Sequence, residues 1–402
     1  MCSVLSSPSG VVPPLIDSPA GFSQAAEALA AGQGPVAIDT ERASGFRYDD
    51  RAFLIQIRRR GVGTLLLDPE GHRDEFTKAL APVLNGLDWV IHAAISDLPC
   101  LAWLGLYPGR LFDTEVAGRL AGFDHVNLAA MTEAIFEVTL RKGHGAEDWS
   151  RRPLPADWLD YAALDVELLL ELAEAMAELL DSQGKLEWAD EEFEHIKASY
   201  AGMSGPPVAT WRAAKGVSSL IRPEQLAIAR ELWLARESIA VDNDQAVSKV
   251  LPNRVLVEVA RAVPRTPKKI SQVKGFPARR KGATNFWFGV VNRALTSDST
   301  TWPQRQRGPR SLPSRQPWSR DYPDSWSALE QARELIEQLS IDLDIPVENI
   351  LRPAVLRIAA WQAAQERTVR TSDELAELLH DHDARAWQIE LTVPLIAPVL
   401  LA

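Results

Sequence analysis

The chain has 402 residues, 46% of them apolar and 24% charged, and only two cysteines, Cys2 and Cys100. That length exceeds what one hydrophobic core supports and sets an expectation of two or three domains, while the cysteine usage excludes a disulfide framework or a thiolate zinc site and fits a reducing cytoplasm. A formal net charge of -11 weighs mildly against a nucleic-acid partner, although one part of the chain can differ from the total.

The opening MCSVLSSPSG has no basic region ahead of an apolar core, so it does not read as a signal peptide, and residues 1 to 34 are taken as an N-terminal extension. From 35 to 200, short apolar runs alternate with helical stretches. PVAID, FLIQIRR, TLLLDP and DWVIHA read as strands, the first three in quick succession and joined by hairpins. Helices are expected near 73 to 85, 96 to 104, 114 to 121 and 127 to 136, and the long PADWLDYAALDVELLLELAEAMAELLDSQG closes the unit at Gly184. This pattern predicts an α/β domain, a mixed sheet flanked by helices.

After residue 210 the strand signal disappears, and helices divided by Pro-containing turns take over. ARELWLARESIAVDNDQAVSKVLPNRVLVEVA from Ala229 is echoed by ARELIEQLSIDLDIPVENILRPAVLRIAA from Ala332. At an offset of one hundred positions Val250 aligns with Ile350, Leu251 with Leu351, Val255 with Val355 and Leu256 with Leu356. Two related all-α domains are therefore expected, at 211 to 296 and 326 to 402, separated by an extended Pro/Arg-rich linker at 297 to 325. The tail LTVPLIAPVLLA is too short to span a bilayer, and no membrane partner is expected.

Four acids sit where an apolar pattern would not want them. Asp39 and Glu41 alternate along a strand, which projects both to one face. Asp97 follows a strand at the start of a helix, and Tyr161 and Asp165, four apart, share one side of a helix. Taken singly, acids at element ends are solvated or capping residues. Together, four hard oxygen ligands and a phenol suit two Mg2+ or Mn2+ ions, which at roughly 3.5–4 Å apart stabilise both the attacking and the leaving oxygen of a phosphoryl displacement. A second Asp-Thr-Glu, Asp113 to Glu115, leads at once into VAGRLAG and reads as a helix cap. His92 reads as a packed, hydrogen-bonded histidine.

AIDTE, HAAISD and YAALD, in this order, resemble the three exonuclease motifs of the DEDD superfamily, in the subclass with tyrosine in the third motif. LFDTEVAGRLAGF and EDWSRRPLPADWLDYAALDVELL are similar to the ribonuclease D family, and the helical part resembles its HRDC domains, the second one faintly. The resemblance implies a ribonuclease H-like exonuclease fold and a 3'-to-5' exoribonuclease using two divalent cations. Asp39 would bridge them, Glu41 and Asp165 would complete one site, Asp97 would hold the second largely through water, and Tyr161 would orient the attacking water. The implied substrates are single-stranded RNA 3' ends, tRNA precursors among them, cut by a monomer to nucleoside 5'-monophosphates in RNA maturation or decay.

Two basic segments are candidate phosphate contacts, against the plainer reading of solvated charge. The loop RKGHGAEDWSRRPL supplies Lys142 and Arg152 just before the third motif. KKISQVKGFPARRK carries Lys268, Lys269, Lys274, Arg279 and Arg280 without an acid, and Gly275 would let its backbone approach phosphates. The second helical domain is acidic in TSDELAELLHDHDARAW and is expected to pack against the enzyme domain or shape a channel rather than grip RNA. Two rivals stand beside the ribonuclease: the same chemistry on DNA, since such acids do not report a 2'-hydroxyl, and a non-catalytic nucleic-acid-binding scaffold, against which the full set of acids argues.

Overall fold

The structure, a computed structural model, describes residues 3 to 5, 12 to 140, 143 to 306 and 312 to 402. Its strands are β1 (Ser3–Leu5), β2 (Leu15–Ile16), β3 (Gln33–Arg42), β4 (Ala52–Arg60), β5 (Gly63–Leu67), β6 (Asp88–Ile91), β7 (Arg110–Asp113) and β8 (Val138–Leu140). Six of them form one mixed sheet in the order β2-β5-β4-β3-β6-β7, and β1 pairs with β8. The β3-β4-β5 meander is antiparallel, and β6 and β7 run parallel to β3. Val36, Ala37 and Ile38 of β3 are fully buried, as a central strand covered on both faces requires.

Residues taken as an extension belong to this fold. β2 pairs with β5, and α1 (Pro19–Ala31), capped by the Ser18 side chain, buries Phe22 and Leu29 against α2 (Arg73–Leu84). Phe22 meets Phe76 edge-on at 5.3 Å between ring centres. The short helices α3 (Leu98–Ala102), α4 (Thr114–Leu120) and α5 (Leu128–Phe136) follow the sequence expectation, but β7 is a strand the sequence reading left out. The single long helix expected up to Gly184 is two, α6 (Ala156–Glu167) and α7 (Leu169–Ser182), broken at Leu168. The apolar residues on either side need different partners: Trp158, Ala162 and Ala163 pack with Phe53 and Leu54 of β4, whereas Leu169, Leu172 and Met176 enter the main core. α8 (Leu186–Tyr200) completes the domain.

The helical part repeats one unit twice. The first has α9 (Pro223–Asp242), α10 (Val247–Val250), α11 (Asn253–Ala262), α12 (Pro267–Ser271) and α13 (Ala283–Thr296), with its own core from Val217 to Ala294. The second has α14 (Arg315–Asp321), α15 (Pro323–Leu343), α16 (Val347–Ile350), α17 (Pro353–Ala360), α18 (Ser372–Asp381) and α19 (Ala386–Leu400). The one-hundred-residue offset holds in the backbone: Leu251 and Leu351 leave their short helices at φ -155 and -154, and Asp244 and Asp344 are both left-handed, at φ 43 and 52.

The linker expected at 297 to 325 is shorter than the sequence suggests. Trp318 of α14 is fully buried, donates to Ser325 Oγ at 2.9 Å and meets Trp361 edge-on, so this stretch is part of the second unit. That unit shares one continuous core with the sheet domain. Trp387 stacks on Trp188 at 5.2 Å and donates to Glu192 Oε1, Arg385 pairs with Glu192 at 2.7 Å, and Lys185 donates to the carbonyls of Leu120 and Leu343. The apolar tail is the end of α19, with Ile396 and Leu400 buried. Among the described residues no helix is long and apolar enough to cross a membrane.

Candidate metal centre

Strand pleat and helix crossing assemble the centre. Asp39 and Glu41 project from the same face of β3, and α6 packs against β3, β4 and β5 to add Asp165. One carboxylate oxygen from each of these three acids lies within 4.8 Å of the other two. Glu41 is buried, and Asp39 and Asp165 are half-buried. The Tyr161 phenol, one turn before Asp165, donates a hydrogen bond to its carboxylate.

Asp97 stands outside that trio. It is buried where the turn after β6 enters α3, and its Oδ1 accepts from Thr40 Oγ1 at 2.5 Å and faces Arg42 Nη1 at 3.7 Å. Arg42 also donates to the Ser96 carbonyl. Thr40 and Arg42, supports that the sequence reading missed, thus hold the fourth acid from the strand that carries the first two. The only signal for them was position, interleaved with the acids of β3. Arg42 supplies the positive charge that a strand ending in buried acids requires.

Burial pushes Asp39, Glu41 and Asp165 well above the usual carboxylate range, and repulsion adds to it, from Asp165 on Asp39, from Asp39 and Asp165 on Glu41, and from Asp97 on Asp165. Hydrogen bonding from Tyr161 partly offsets the rise at Asp165. Asp97 is pushed up to about 8 by burial and then by Asp39. Four buried or half-buried acids against Arg42 alone among the described residues form a site short of positive charge, and hard oxygen donors suit divalent cations, so the residues fit such ions. Burial and the Asp165 charge raise the Tyr161 phenol above its ordinary value, which keeps it neutral.

The two uncertain residues near the centre have structural roles. Asp113 caps α4 through the N–H groups of Glu115 and Val116, and it also accepts from Ala93 and Ala94 at 3.1 and 2.8 Å, which pins the turn that delivers Asp97. His92 pairs with Thr114 Oγ1 at 2.9 Å, and burial pulls its imidazole down to about 4, so it is neutral.

Of the candidate phosphate contacts, Lys142 lies outside the described residues. Arg152 already has partners within the chain. Its Nε and Nη2 clasp Asp68 at 2.5 and 2.7 Å, Nη2 also donates to the Phe53 carbonyl, and Nη1 donates to the carbonyls of Trp149 and Arg151. Its donors all find partners within the chain although the residue is exposed, and Asp68, 84 positions away, is one that no local pattern reveals. Lys268, Lys269, Lys274, Arg279 and Arg280 are exposed. Lys269 and Lys274 line a cleft of about 400 Å³ with Arg254 and Glu258. Gly275, at φ 83, brings the backbone close to Arg254 and Val255.

A sheet domain with this acidic centre, followed by two helical units, defines a 3'-5' exonuclease domain with appended helical domains, and the comparisons with known proteins agree. Residues 14–181 match the family model for a 3'-5' exonuclease, 225–282 that for an HRDC domain, and 311–400 that for a 3' to 5' exonuclease C-terminal domain. Ribonuclease D of Jannaschia sp. is 30% identical over 290 residues, which cover 70% of this chain and 74% of that protein. Ribonuclease D of Nitrobacter hamburgensis is 30% identical over 226 residues, 54% of this chain and 57% of that one. The chain belongs to the ribonuclease D family. A solved structure from Bifidobacterium adolescentis is 32% identical over the whole of both chains, with a TM-score of 0.85. Escherichia coli RNase D, an exoribonuclease involved in structured RNA processing, shares the fold at a TM-score of 0.68 and 23% identity, over 92% of this chain and 99% of that one.

Proposed function

We propose that this protein is a 3'-to-5' exoribonuclease that hydrolyses RNA 3' ends to nucleoside 5'-monophosphates, in tRNA or other stable-RNA maturation or in RNA decay. The observation that carries the reading is the convergence of Asp39, Glu41 and Asp165 from a strand and a helix onto one point. Asp39, Glu41 and Asp165 would hold one Mg2+ or Mn2+ ion, and Asp39 and Asp97 would hold a second. When bound, the cations supply the positive charge that stabilises entering and leaving oxygens and ease the deprotonation of water. Tyr161, its proton committed to Asp165, presents oxygen lone pairs that accept a hydrogen bond from the attacking water and orient it; a neutral phenol positions water rather than acting as its base.

The choice of RNA over DNA is supported by the relatives named ribonuclease D, since acids that meet only metal and phosphate do not sense a 2'-hydroxyl. The exposed basic run of the first helical unit holds the upstream strand through its phosphates, without sequence choice. We read the protein as a cytoplasmic monomer, the compartment from its cysteine usage.

Digestion of 5'-labelled single-stranded RNA and DNA of one sequence, with Mg2+ or Mn2+, tests this. The expected result is a ladder shortening from the 3' end, nucleoside 5'-monophosphates as products, RNA cut faster than DNA, and no turnover by Asp39→Asn. Parental turnover by Asp39→Asn would overturn the assignment.

A further inference from the structure

The loop from Ala43 to Arg51 leaves β3 directly after Arg42 and carries the polar contacts to Asp244, Glu237 and Ala246 of the first helical unit. Asp244, left-handed after α9, accepts from the Tyr48 N–H at 3.3 Å, from Arg51 at 2.8 and 3.1 Å, and from Arg47 at 3.3 Å. Tyr48 donates its hydroxyl to Glu237 Oε2 at 3.0 Å, Ala246 N donates to the Phe46 carbonyl, and Lys249 Nζ lies 4.1 Å over the Phe46 ring. The helical unit therefore grips one loop, by ion pairs and hydrogen bonds and by Tyr48 packed against its core.

That loop reaches the acidic centre in two directions. At its base, Arg42 lies between Asp97 at 3.7 Å and Asp50 at 3.9 Å, and Ser44 donates to Asp50. At its tip, Arg47 Nε donates to Ser150 Oγ at 2.7 Å, in the segment that carries His144, whose ring stands edge-on 5.8 Å from that of Tyr161. One end touches the partner of the fourth acid and the other the segment beside the phenol.

We propose that docking of the first helical unit on this loop sets the rate of hydrolysis at the centre, with Asp244 as its positioning residue, even for substrates too short to reach the unit's basic face. The claim rests on the nuclease reading above. Without the Asp244 charge, Arg47 and Arg51 lose the partner that ties them to a second body, the loop loosens, and the Arg42–Asp97 pair spreads. A displacement of this kind, about 1 Å at a catalytic group, costs up to about 100-fold. The second unit provides a contrast: Asp344, left-handed at the same repeat position, sits against Gly122 just after α4 and makes none of the contacts to the 43–51 loop.

The test uses the full chain with Mn2+ and the shortest oligoribonucleotide that the parent degrades, beginning with the dinucleotide pApA. Asp244→Asn, which keeps a side chain tolerant of the left-handed backbone, is expected to lower kcat between about 10- and 100-fold with KM held within about twofold. Tyr48→Phe should lower kcat by a smaller factor and carries the test if Asp244→Asn does not fold, while Asp344→Asn should turn over at the parental rate. Parental kcat in both Asp244→Asn and Tyr48→Phe overturns the proposal, as does a parent that cuts only RNA long enough to reach the basic face. A parent inert on every RNA and metal tried overturns the nuclease reading instead.

Discussion

The first helical unit keeps its own core and meets the exonuclease domain through Asp244, Glu237 and Lys249, whereas the second, with the same turns one hundred residues on, shares a continuous core with that domain through Trp387 and Leu400. The two units share the backbone, down to the left-handed aspartate after the first long helix of each. Their surface chemistry differs. A polar contact can be made and broken at modest cost and suits a unit that handles substrate, while a buried aromatic stack suits a permanent wall.

The largest effect that can break this comparison is a core truncation in each unit. Trp387→Ala is expected to cost about 3–5 kcal/mol and to lower the unfolding of the second unit and the exonuclease domain together, in one transition. Trp287→Ala, in the separate core of the first unit, should bring forward an early transition and leave the later one in place. Calorimetry of both variants checks this; one shared transition in each would mean that the units do not differ in coupling. A smaller effect sharpens the comparison through charge. Reversing Lys268, Lys269, Arg279 and Arg280 to Glu should weaken RNA binding most at low salt and flatten the slope of log affinity against log salt by up to about 3, at about 0.7 per phosphate contact on a single strand. Asp373→Asn with Asp381→Asn in the second unit should leave that slope unchanged, as fluorescence-anisotropy titrations across salt would show.

Much of this was legible in the sequence because it rests on local periodicity. The pleat puts Asp39 and Glu41 on one face, a helical turn joins Tyr161 to Asp165, and the apolar echo between Val250 and Leu256 gave the repeat. What escaped depends on distant partners. Thr40 and Arg42 gain meaning only when the turn after β6 brings Asp97 to them, Arg152 reads as a free cation until Asp68 is placed beside it, and Trp318 looks like linker until Trp361 covers it. The break at Leu168 escaped for the same reason, since unbroken helical spacing cannot show that two apolar faces meet different layers.

The central claim is that the acids at 39, 41, 97 and 165 form a centre made for divalent cations, and thermal unfolding against pH and Mn2+ tests it most directly. Folding raises these carboxyls, Asp97 to about 8, so the native state retains protons that the unfolded chain, with carboxyls near about 4, has released. Without metal, stability is therefore lost as pH rises from about 4 through about 8, and Mn2+, binding the native site alone, restores it at the upper end. The predicted result is a midpoint that falls between about pH 5 and pH 8 in chelator and recovers with Mn2+ at pH 8, with both changes smaller in Asp39→Asn. A midpoint indifferent to Mn2+ at pH 8, in a protein that is folded there, would contradict the account.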